Sequence, residues 1–227
     1  MSYRPQQVIL NFHGIGTPPA TLPEAEKPYW IGEGDFHKLV SDVARQAREM
    51  NLHLLLTFDD GNKSDIEIAA PLLKDLDLPG IFFPCTGRLA HAGYLDAEDL
   101  RTLAADGFGI GSHGVDHLPW ARLGREELKA EIAGSKATLD QILPAPVDIA
   151  ALPFGSYRQA VLGALWRAGY KQVFTSDPGF SRPGHWFQRR FSWHEGVDFD
   201  LERLTKTHSR LKSRLIGEAK KLLKSMR

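Results

Sequence analysis

Short apolar runs alternate along the chain with longer stretches in which apolar residues recur at a period of about 3.6. This alternation is typical of strand–helix units around a parallel sheet, and it predicts an α/β fold. The predicted strands cover Gln7–Phe12, Leu52–Phe58, Gly80–Pro84, Gly107–Gly111, Asp148–Leu152, Tyr170–Phe174 and, as a seventh, Trp186–Trp193. The predicted helices cover Phe36–Met50, Ser64–Asp77, Ala97–Ala105, Arg125–Leu143 and Arg158–Ala168.

Capping residues mark several helix ends. Asp96 and Ser156 have N-cap chemistry, and Gly107 and Gly169 suit the position that follows a helix C-terminus. Six or seven strand–helix units in one domain of 227 residues favour a distorted (β/α) barrel over an open doubly wound sheet, which is the alternative. The loop 14–34 follows the first strand, on the side where barrel active sites are built.

The composition excludes several classes of protein. Hydrophobic residues make up 42% of the chain and charged residues 25%, the net charge is zero, and nothing points to a nucleic-acid partner. A single cysteine, Cys85, excludes an internal disulfide and a multi-cysteine zinc site. The apolar run Val8–Phe12 is too short for a secretion signal, and no stretch approaches the ~20 apolar residues of a membrane-spanning helix. We therefore expect a cytoplasmic protein.

Basic residues are concentrated at the C-terminus, where residues 203–227 contain nine Lys/Arg and one acid, Glu218. The apolar residues that recur there at helical spacing are Leu204, Leu211, Leu215, Leu222 and Met226. We expect residues 1–200 to form the barrel and residues 201–227 to form a basic amphipathic helix. This helix either packs on the barrel or, from residue 204 to 227, lies on an anionic membrane surface, such as the inner face of the cytoplasmic membrane.

Two adjacent carboxylates, Asp59 and Asp60, end the second predicted strand within the segment Leu56–Gly61. The backbone turns at the C-terminal end of a strand, so both side chains can reach one cleft. A bound cation there would offset their mutual repulsion. The alternative is an ordinary turn with Asp at a preferred position.

A second polar motif, Gly111–His117, follows the fourth predicted strand and contains His113 and His117. If this segment is helical, a spacing of four places both imidazoles on one face, where they can ligate one metal. Two histidines and one carboxylate form a three-ligand site with an open position, which is typical of catalytic zinc, and the second carboxylate is then free to act as general base. Unrelated surface or core histidines are the alternative.

Together the segment Thr57–Gly61 and the two histidines resemble the polysaccharide deacetylase family, carbohydrate esterase family 4. The resemblance implies a barrel enzyme that removes acetyl groups from N-acetylated sugars with the help of a divalent metal. It implies that Asp59 is the general base and that Asp60, His113 and His117 are the metal ligands. Zinc suits these ligands best, and cobalt or nickel would fit the same set.

The segment Ala151–Gly155 is similar to the family's Pro-aromatic-Gly motif, which implies that the backbone N–H of Phe154 donates to the oxyanion. The chain also departs from the family. Ala151 stands where many members have an Arg that orients the base, and Gly114 stands where they have Ser or Thr. Arg190 is our candidate for the missing cation, because an Arg beside the base would keep it ionised.

The leaving amine requires a general acid. The first strand ends in Asn11-Phe12-His13, which resembles the branch that deacetylates poly-N-acetylglucosamine, where the acid histidine lies on the first strand. The resemblance implies that His13 is the acid, and His194 is the alternative. The implied substrate is an N-acetylated poly- or oligosaccharide, either free or linked to a lipid or nucleotide, in cell-surface polysaccharide or lipopolysaccharide biosynthesis.

Two other functions fit the same residues. One is metal-dependent hydrolysis of another small amide or imide. The other is a catalytically silent saccharide-binding module, which Ala151 supports and the non-ligand acid Asp59 opposes, since a binding module does not need a general base. The sequence gives no indication of the oligomeric state.

Overall fold

The structure is a computed structural model that describes residues 6–20 and 22–207. Its strands, in chain order, are β1 (Gln7–Phe12), β2 (Gly14–Ile15), β3 (Trp30–Ile31), β4 (His53–Asp60), β5 (Gly80–Pro84), β6 (Gly109–Ile110), β7 (Ile149–Ala151), β8 (Gln172–Thr175), β9 (Phe187–Arg189) and β10 (Phe191–Ser192). Its helices are α1 (Glu33–Glu49), α2 (Ala70–Asp75), α3 (Ala97–Ala105), α4 (Arg125–Lys129), α5 (Ser135–Ile142) and α6 (Gln159–Arg167).

The strands form parallel sheets, as the alternating pattern predicts. One sheet has the order β10-β1-β4-β5-β6, a second has the order β7-β8-β9, and β2 pairs with β3. A single parallel bridge, Ser112 to Ala150, joins the end of β6 to β7, and the chain passes from β9 to β10 through Arg190. Within the described residues the main-chain hydrogen bonds therefore do not run continuously around the ring, and the predicted α/β fold takes the form of a distorted, incompletely closed barrel.

The core has two parts. Five strands each send one apolar side chain to a small interior cluster, which consists of Ile9, Leu55, Phe83, Ala151 and Phe174. The larger cluster lies between the strands and the helices. There Phe12, Phe58 and Phe82 are neighbours in register on β1, β4 and β5, with ring centroids 5.8 Å and 4.9 Å apart. Such cross-strand aromatic contacts help to hold the strands in register.

Several predicted boundaries differ from the structure. The segment Trp186–Trp193 is interrupted at Arg190, which turns inward, so it forms two short strands. The segment Ser64–Asp77 begins with a π-helical turn, Asp65–Ala69, before α2. Asp96 caps α3 by accepting the backbone N–H groups of Glu98 and Asp99.

Of the three other predicted caps, two agree with the structure. Gly107 and Gly169 follow α3 and α6 with φ of 89° and 84°, which confirms their predicted position. The prediction for Ser156 was wrong, because the N-cap of α6 is Arg158.

The end of the described chain is helical from residue 201 to residue 207. Leu201 is buried and Leu204 is partly buried against the core. The predicted amphipathic helix otherwise lies outside the described residues, so the division at residue 200 stays a prediction. In the part of the chain that the structure covers, no helix combines the length and hydrophobicity needed to cross a bilayer.

Candidate functional site

A cavity of about 620 Å³ opens at the C-terminal end of the strands, where β4 and the segment after β6 meet. The predicted residues that line it are His13, Asp59, Asp60, His113, His117, Phe154 and the alternative acid His194. Arg190, the remaining predicted residue, is fully buried and contacts Asp59. The structure therefore brings all the predicted site residues together, while their roles stay predictions.

Asp59 is fully paired within the protein. Arg190 donates from Nη1 to Oδ1 at 2.7 Å and from Nη2 to Oδ2 at 2.8 Å, and Asn11 Nδ2 donates to Oδ2 at 3.0 Å. Burial alone would raise the pKa of Asp59, but the charge of Arg190 outweighs burial and holds the pKa well below its usual value. Asp59 is therefore a fixed carboxylate at neutral pH.

Asp60 has the opposite surroundings. Its buried Oδ1 lies 3.3 Å from His117 Nε2 and 3.8 Å from His113 Nε2, and it receives no hydrogen bond from the described residues. One ligand atom from each of these three residues lies within 4.8 Å of the other two. Burial would raise the pKa of Asp60, but the neighbouring imidazoles of His117, His13 and His113 lower it. A buried carboxylate oxygen without a donor, facing two imidazole nitrogens, fits a cation site.

The backbone explains why two adjacent carboxylates differ so much. Leu55, Thr57 and Asp59 alternate toward the interior of the barrel, as residues two apart on a strand do. Asp60 would then point to the opposite side, but its φ of 79° is left-handed and redirects the chain. Gly61 continues the turn at φ 76°, and an added Cβ there would lie 2.7 Å from Pro84 Cβ. The strand end therefore turns both carboxylates to the cavity.

The histidine segment is a loop, so the condition under which a spacing of four would place both imidazoles on one helix face is not met. Gly114 has φ 84° and His117 has φ 53°, yet the two imidazole centroids are only 5.1 Å apart. Glu131, in a π-helical turn between α4 and α5, accepts the backbone N–H groups of Val115 at 3.0 Å and Asp116 at 3.1 Å. This buried carboxylate shapes the loop that carries both histidines.

Gly114, one of the departures from the family, has a structural reason. A Cβ on this residue would lie 2.5 Å from Glu131 Oε2, and the left-handed backbone favours glycine. Ala151, the other departure, has a backbone carbonyl 3.0 Å from His113 Nδ1. Because a carbonyl oxygen can only accept, Nδ1 of the neutral imidazole carries the proton and donates it in this hydrogen bond. The lone pair of Nε2 is then free to bind a metal ion.

Burial keeps both histidines neutral. It lowers the pKa of His113 to about 4, with His117 and Arg190 acting in the same direction against the opposing charges of Asp59 and Asp60. Burial also lowers the pKa of His117. Neutral imidazole is the form that binds a metal, so neither ligand has to lose a proton at neutral pH.

The two candidate acids both lie close to Tyr29. The ring centroid of Tyr29 is 4.9 Å from that of His13 and 6.0 Å from that of His194. Nδ1 of His13 is buried and has no hydrogen-bond partner among the described residues. His194 is exposed, and its Nδ1 lies 3.0 Å from the carbonyl of Glu195.

Phe154 forms part of the cavity wall. It has a left-handed backbone, with φ 57° and ψ 14°, directly after the rigid Pro153. Its ring stands 4.3 Å from the His117 ring and is 60% exposed, which is unusual for a large apolar side chain and places it where a substrate can contact it.

Sequence reasoning missed four residues that support the site. Asn11 and Thr57 form a hydrogen-bonded pair beneath Asp59, and they were visible as polar residues within otherwise apolar strands. Glu131 and Arg88 carried no such signal. Glu131 lies within an amphipathic helix that has several other acids, and Arg88 lies in the turn Thr86–Arg88 after β5.

The chain was compared with known protein families. A family model described as polysaccharide deacetylase matches residues 49–173. The matched region contains Asp59, Asp60 and both histidines, but neither His13 nor Arg190. YxkH of Bacillus subtilis, a protein named after the same family, is 31% identical over 126 residues, which cover 56% of this chain and 45% of that one. The match therefore spans less than half of the length of that relative.

Solved structures share the fold. The Streptococcus pyogenes deacetylase PplD, solved with acetate, matches at a TM-score of 0.71 and 21% identity, covering 90% of this chain and 99% of that one. IcaB from Ammonifex degensii matches at a TM-score of 0.68 and 22% identity, covering 90% and 96%. At these identities the likeness establishes the fold.

Proposed function

Because the chain belongs to the polysaccharide deacetylase family, we propose that it is a hydrolase that removes acetyl groups from N-acetylated sugars, and that its activity depends on a divalent cation. The single observation that carries this proposal is the contrast between two adjacent carboxylates. Both oxygens of Asp59 accept hydrogen bonds, whereas Oδ1 of Asp60 is buried, faces His113 and His117 and receives no hydrogen bond from the residues that the structure describes. A saccharide-binding module would not need one carboxylate that is held by donors next to another that faces two imidazoles.

The cation site would consist of Asp60 Oδ1, His113 Nε2 and His117 Nε2, and zinc suits this donor set. When bound, the cation would supply Lewis-acid polarisation of the acetamide carbonyl. Cobalt and nickel fit the same three ligands.

Asp59 would act as the general base. Its bidentate contact with Arg190 fixes the carboxylate in one orientation, and its ionised state allows it to accept a proton from the attacking water. The water oxygen bonds to the carbonyl carbon, and the backbone N–H of Phe154, fixed after Pro153, would donate to the oxyanion that develops.

His13 would protonate the leaving nitrogen as the C–N bond breaks, so that the products are acetate and a free amino sugar. Two observations favour His13 over His194. His13 follows β1, which also carries Asn11 beneath Asp59. In addition, Nδ1 of His13 is buried and has no hydrogen-bond partner among the described residues, whereas His194 is exposed. A protonated His13 near both carboxylates can deliver its proton within the cavity.

The arginine contact also bears on the alternative of a silent binding module. A silent module was suggested by Ala151, which stands where many family members have the orienting Arg. Arg190, which comes from between β9 and β10, forms an ion pair with Asp59 and would take the orienting role, which speaks against a silent module.

The experiment is to incubate the purified, zinc-loaded protein with N-acetylglucosamine oligosaccharides and, separately, with small cyclic amides and imides, and to measure released acetate and ring opening. We expect acetate release, and an equal rate for Asp75→Asn, an exposed acid on α2 that serves as the matched control. Turnover of a cyclic amide without acetate release from any saccharide would refute the deacetylase proposal.

We propose further that the sugar is attached to a lipid or nucleotide carrier and that residues 204–227 contact a membrane surface. The support is the concentration of nine basic residues after residue 202. Flotation with vesicles that contain anionic lipid should carry the full chain upward. Equal flotation with neutral vesicles would contradict the electrostatic contact.

A further inference from the structure

Arg88 is a cation that the proposed mechanism does not use, although it contacts two of the proposed metal ligands. Its Nη2 lies 3.2 Å from His117 Nδ1, and its Nη1 lies 3.6 Å from Asp60 Oδ1. The guanidinium stands over the ring of Tyr94, 5.4 Å from the centroid, and the side chain is 22% exposed. Arg88 is therefore a partly exposed cation that lies close to two of the three proposed ligands.

The contact with His117 has a fixed direction. A guanidinium has only donors, so His117 Nδ1 must be the acceptor, and the proton of a neutral imidazole must then be on Nε2. Nε2 is the atom that faces Asp60 Oδ1 at 3.3 Å. In this state its lone pair is not free for a cation.

A cation bound by His117 requires the opposite tautomer. Nε2 must offer its lone pair, so the ring proton must be on Nδ1, where it would face the N–H of Arg88. Two donors cannot share one hydrogen bond. The cation and Arg88 would in addition be like charges beside the same Asp60 oxygen, and they would repel each other. His113 has no such conflict, because its Nδ1 faces the carbonyl of Ala151.

We propose that Arg88 and the cation compete for His117, so that loading of the site displaces Arg88 from Nδ1. This inference rests on the metal site of the proposed function. It assigns to Arg88 a positioning role, in which its guanidinium holds His117 and Asp60 in place before loading and weakens the affinity for the cation. The proton moves between two nitrogens of one ring, with no net uptake or release.

The test is zinc competition titration of the purified full chain and of Arg88→Met, which removes the charge and keeps an unbranched side chain. Arg122→Met, which removes an exposed arginine from the turn Trp120–Arg122, is the matched control. We expect Arg88→Met to bind zinc about tenfold more tightly than the unmodified protein, because a like charge and a competing donor are gone. We expect the control to leave the zinc affinity unchanged.

If Arg88→Met binds zinc with an affinity equal to or lower than that of the unmodified protein, the proposed competition is overturned. Absence of zinc binding in the unmodified protein would instead overturn the metal site itself, and the competition with it. A second measurement does not depend on a variant: long-range ¹H–¹⁵N spectra of the unmodified protein should place the His117 proton on Nε2 without zinc and on Nδ1 with zinc. A proton on Nδ1 before zinc is added would contradict the inference.

Discussion

Asp59 and Asp60 are adjacent in sequence and line the same cavity, but they have opposite surroundings. Around Asp59 the protein supplies the compensating charge, because Arg190 and Asn11 together occupy both carboxylate oxygens. Around Asp60 it supplies two neutral imidazoles and the more distant guanidinium of Arg88, and Oδ1 receives no hydrogen bond from the described residues. The difference shows that burial alone does not determine the role of a carboxylate. We infer that one carboxylate is held for proton transfer and that the other is held for a cation.

The largest expected effect comes from removing the open carboxylate. Asp60→Asn should weaken zinc binding by about 10³-fold or more, because a charged ligand is lost from a three-ligand site. Zinc competition titration measures this, with Asp75→Asn as the control. An affinity within threefold of the unmodified protein would remove Asp60 from the ligand set.

Removing the paired carboxylate should separate binding from chemistry. Asp59→Asn should lower kcat for acetate release by about 10²-fold or more, because the general base is lost. The zinc affinity should stay nearly unchanged, since Asp59 is not expected to be a ligand. A parallel loss of zinc binding would erase the distinction between the two carboxylates.

The next effect concerns the partner of Asp59. Arg190→Met should lower the free energy of unfolding by about 3 kcal/mol or more, because it strands a buried carboxylate without its counter-charge. Urea unfolding of the metal-free protein measures the loss. If the double variant Arg190→Met with Asp59→Asn recovers part of that free energy, the unpaired charge of Asp59 is the cause of the loss. If Arg190→Met alone is as stable as the unmodified protein, the ion pair does not contribute to stability.

Glu131 tests whether the Asp60 side depends on the geometry of the loop. Glu131→Gln keeps the shape but turns an amide donor toward the backbone N–H groups of Val115 and Asp116. We expect zinc affinity to fall by about tenfold, as for other residues that orient metal ligands. Kinetics at saturating zinc should recover most of kcat. If kcat stays low although zinc is bound, Glu131 acts on more than the ligands.

The smallest expected effect is a pH dependence. In the metal-free protein the pKa of His113 is lowered to about 4 from 6.5, so between these values the unfolded chain binds a proton that the folded chain does not. Stability should therefore fall as the pH is lowered through this window, by at most about 1.4 kcal/mol per pH unit for one group. His117, whose pKa burial also lowers, adds to the effect. His113→Asn should reduce the slope measured by thermal unfolding, and an unchanged slope would contradict the assignment.

The hydrophobic pattern predicted the parallel α/β architecture because strand and helix periods are local properties. The motifs located Asp59, Asp60, His113 and His117 because these residues end strands that converge at one edge. The conformation of the histidine loop could not be predicted, since it depends on Glu131, whose side chain reaches Val115 from 16 positions away. The sequence indicated Arg190 as a candidate partner of Asp59, because Ala151 lacks the usual Arg, but it could not give the bidentate geometry of a contact that joins residues 131 positions apart.

The central claim is that Asp60, His113 and His117 hold one cation while Asp59 stays outside its ligand shell. A crystal grown with zinc and measured at the zinc absorption edge tests it most directly. We predict a single anomalous peak about 2.0–2.2 Å from Asp60 Oδ1, His113 Nε2 and His117 Nε2, with both oxygens of Asp59 still bonded to Arg190. A peak that is coordinated by Asp59, or one that lies away from the two histidines, would contradict the account.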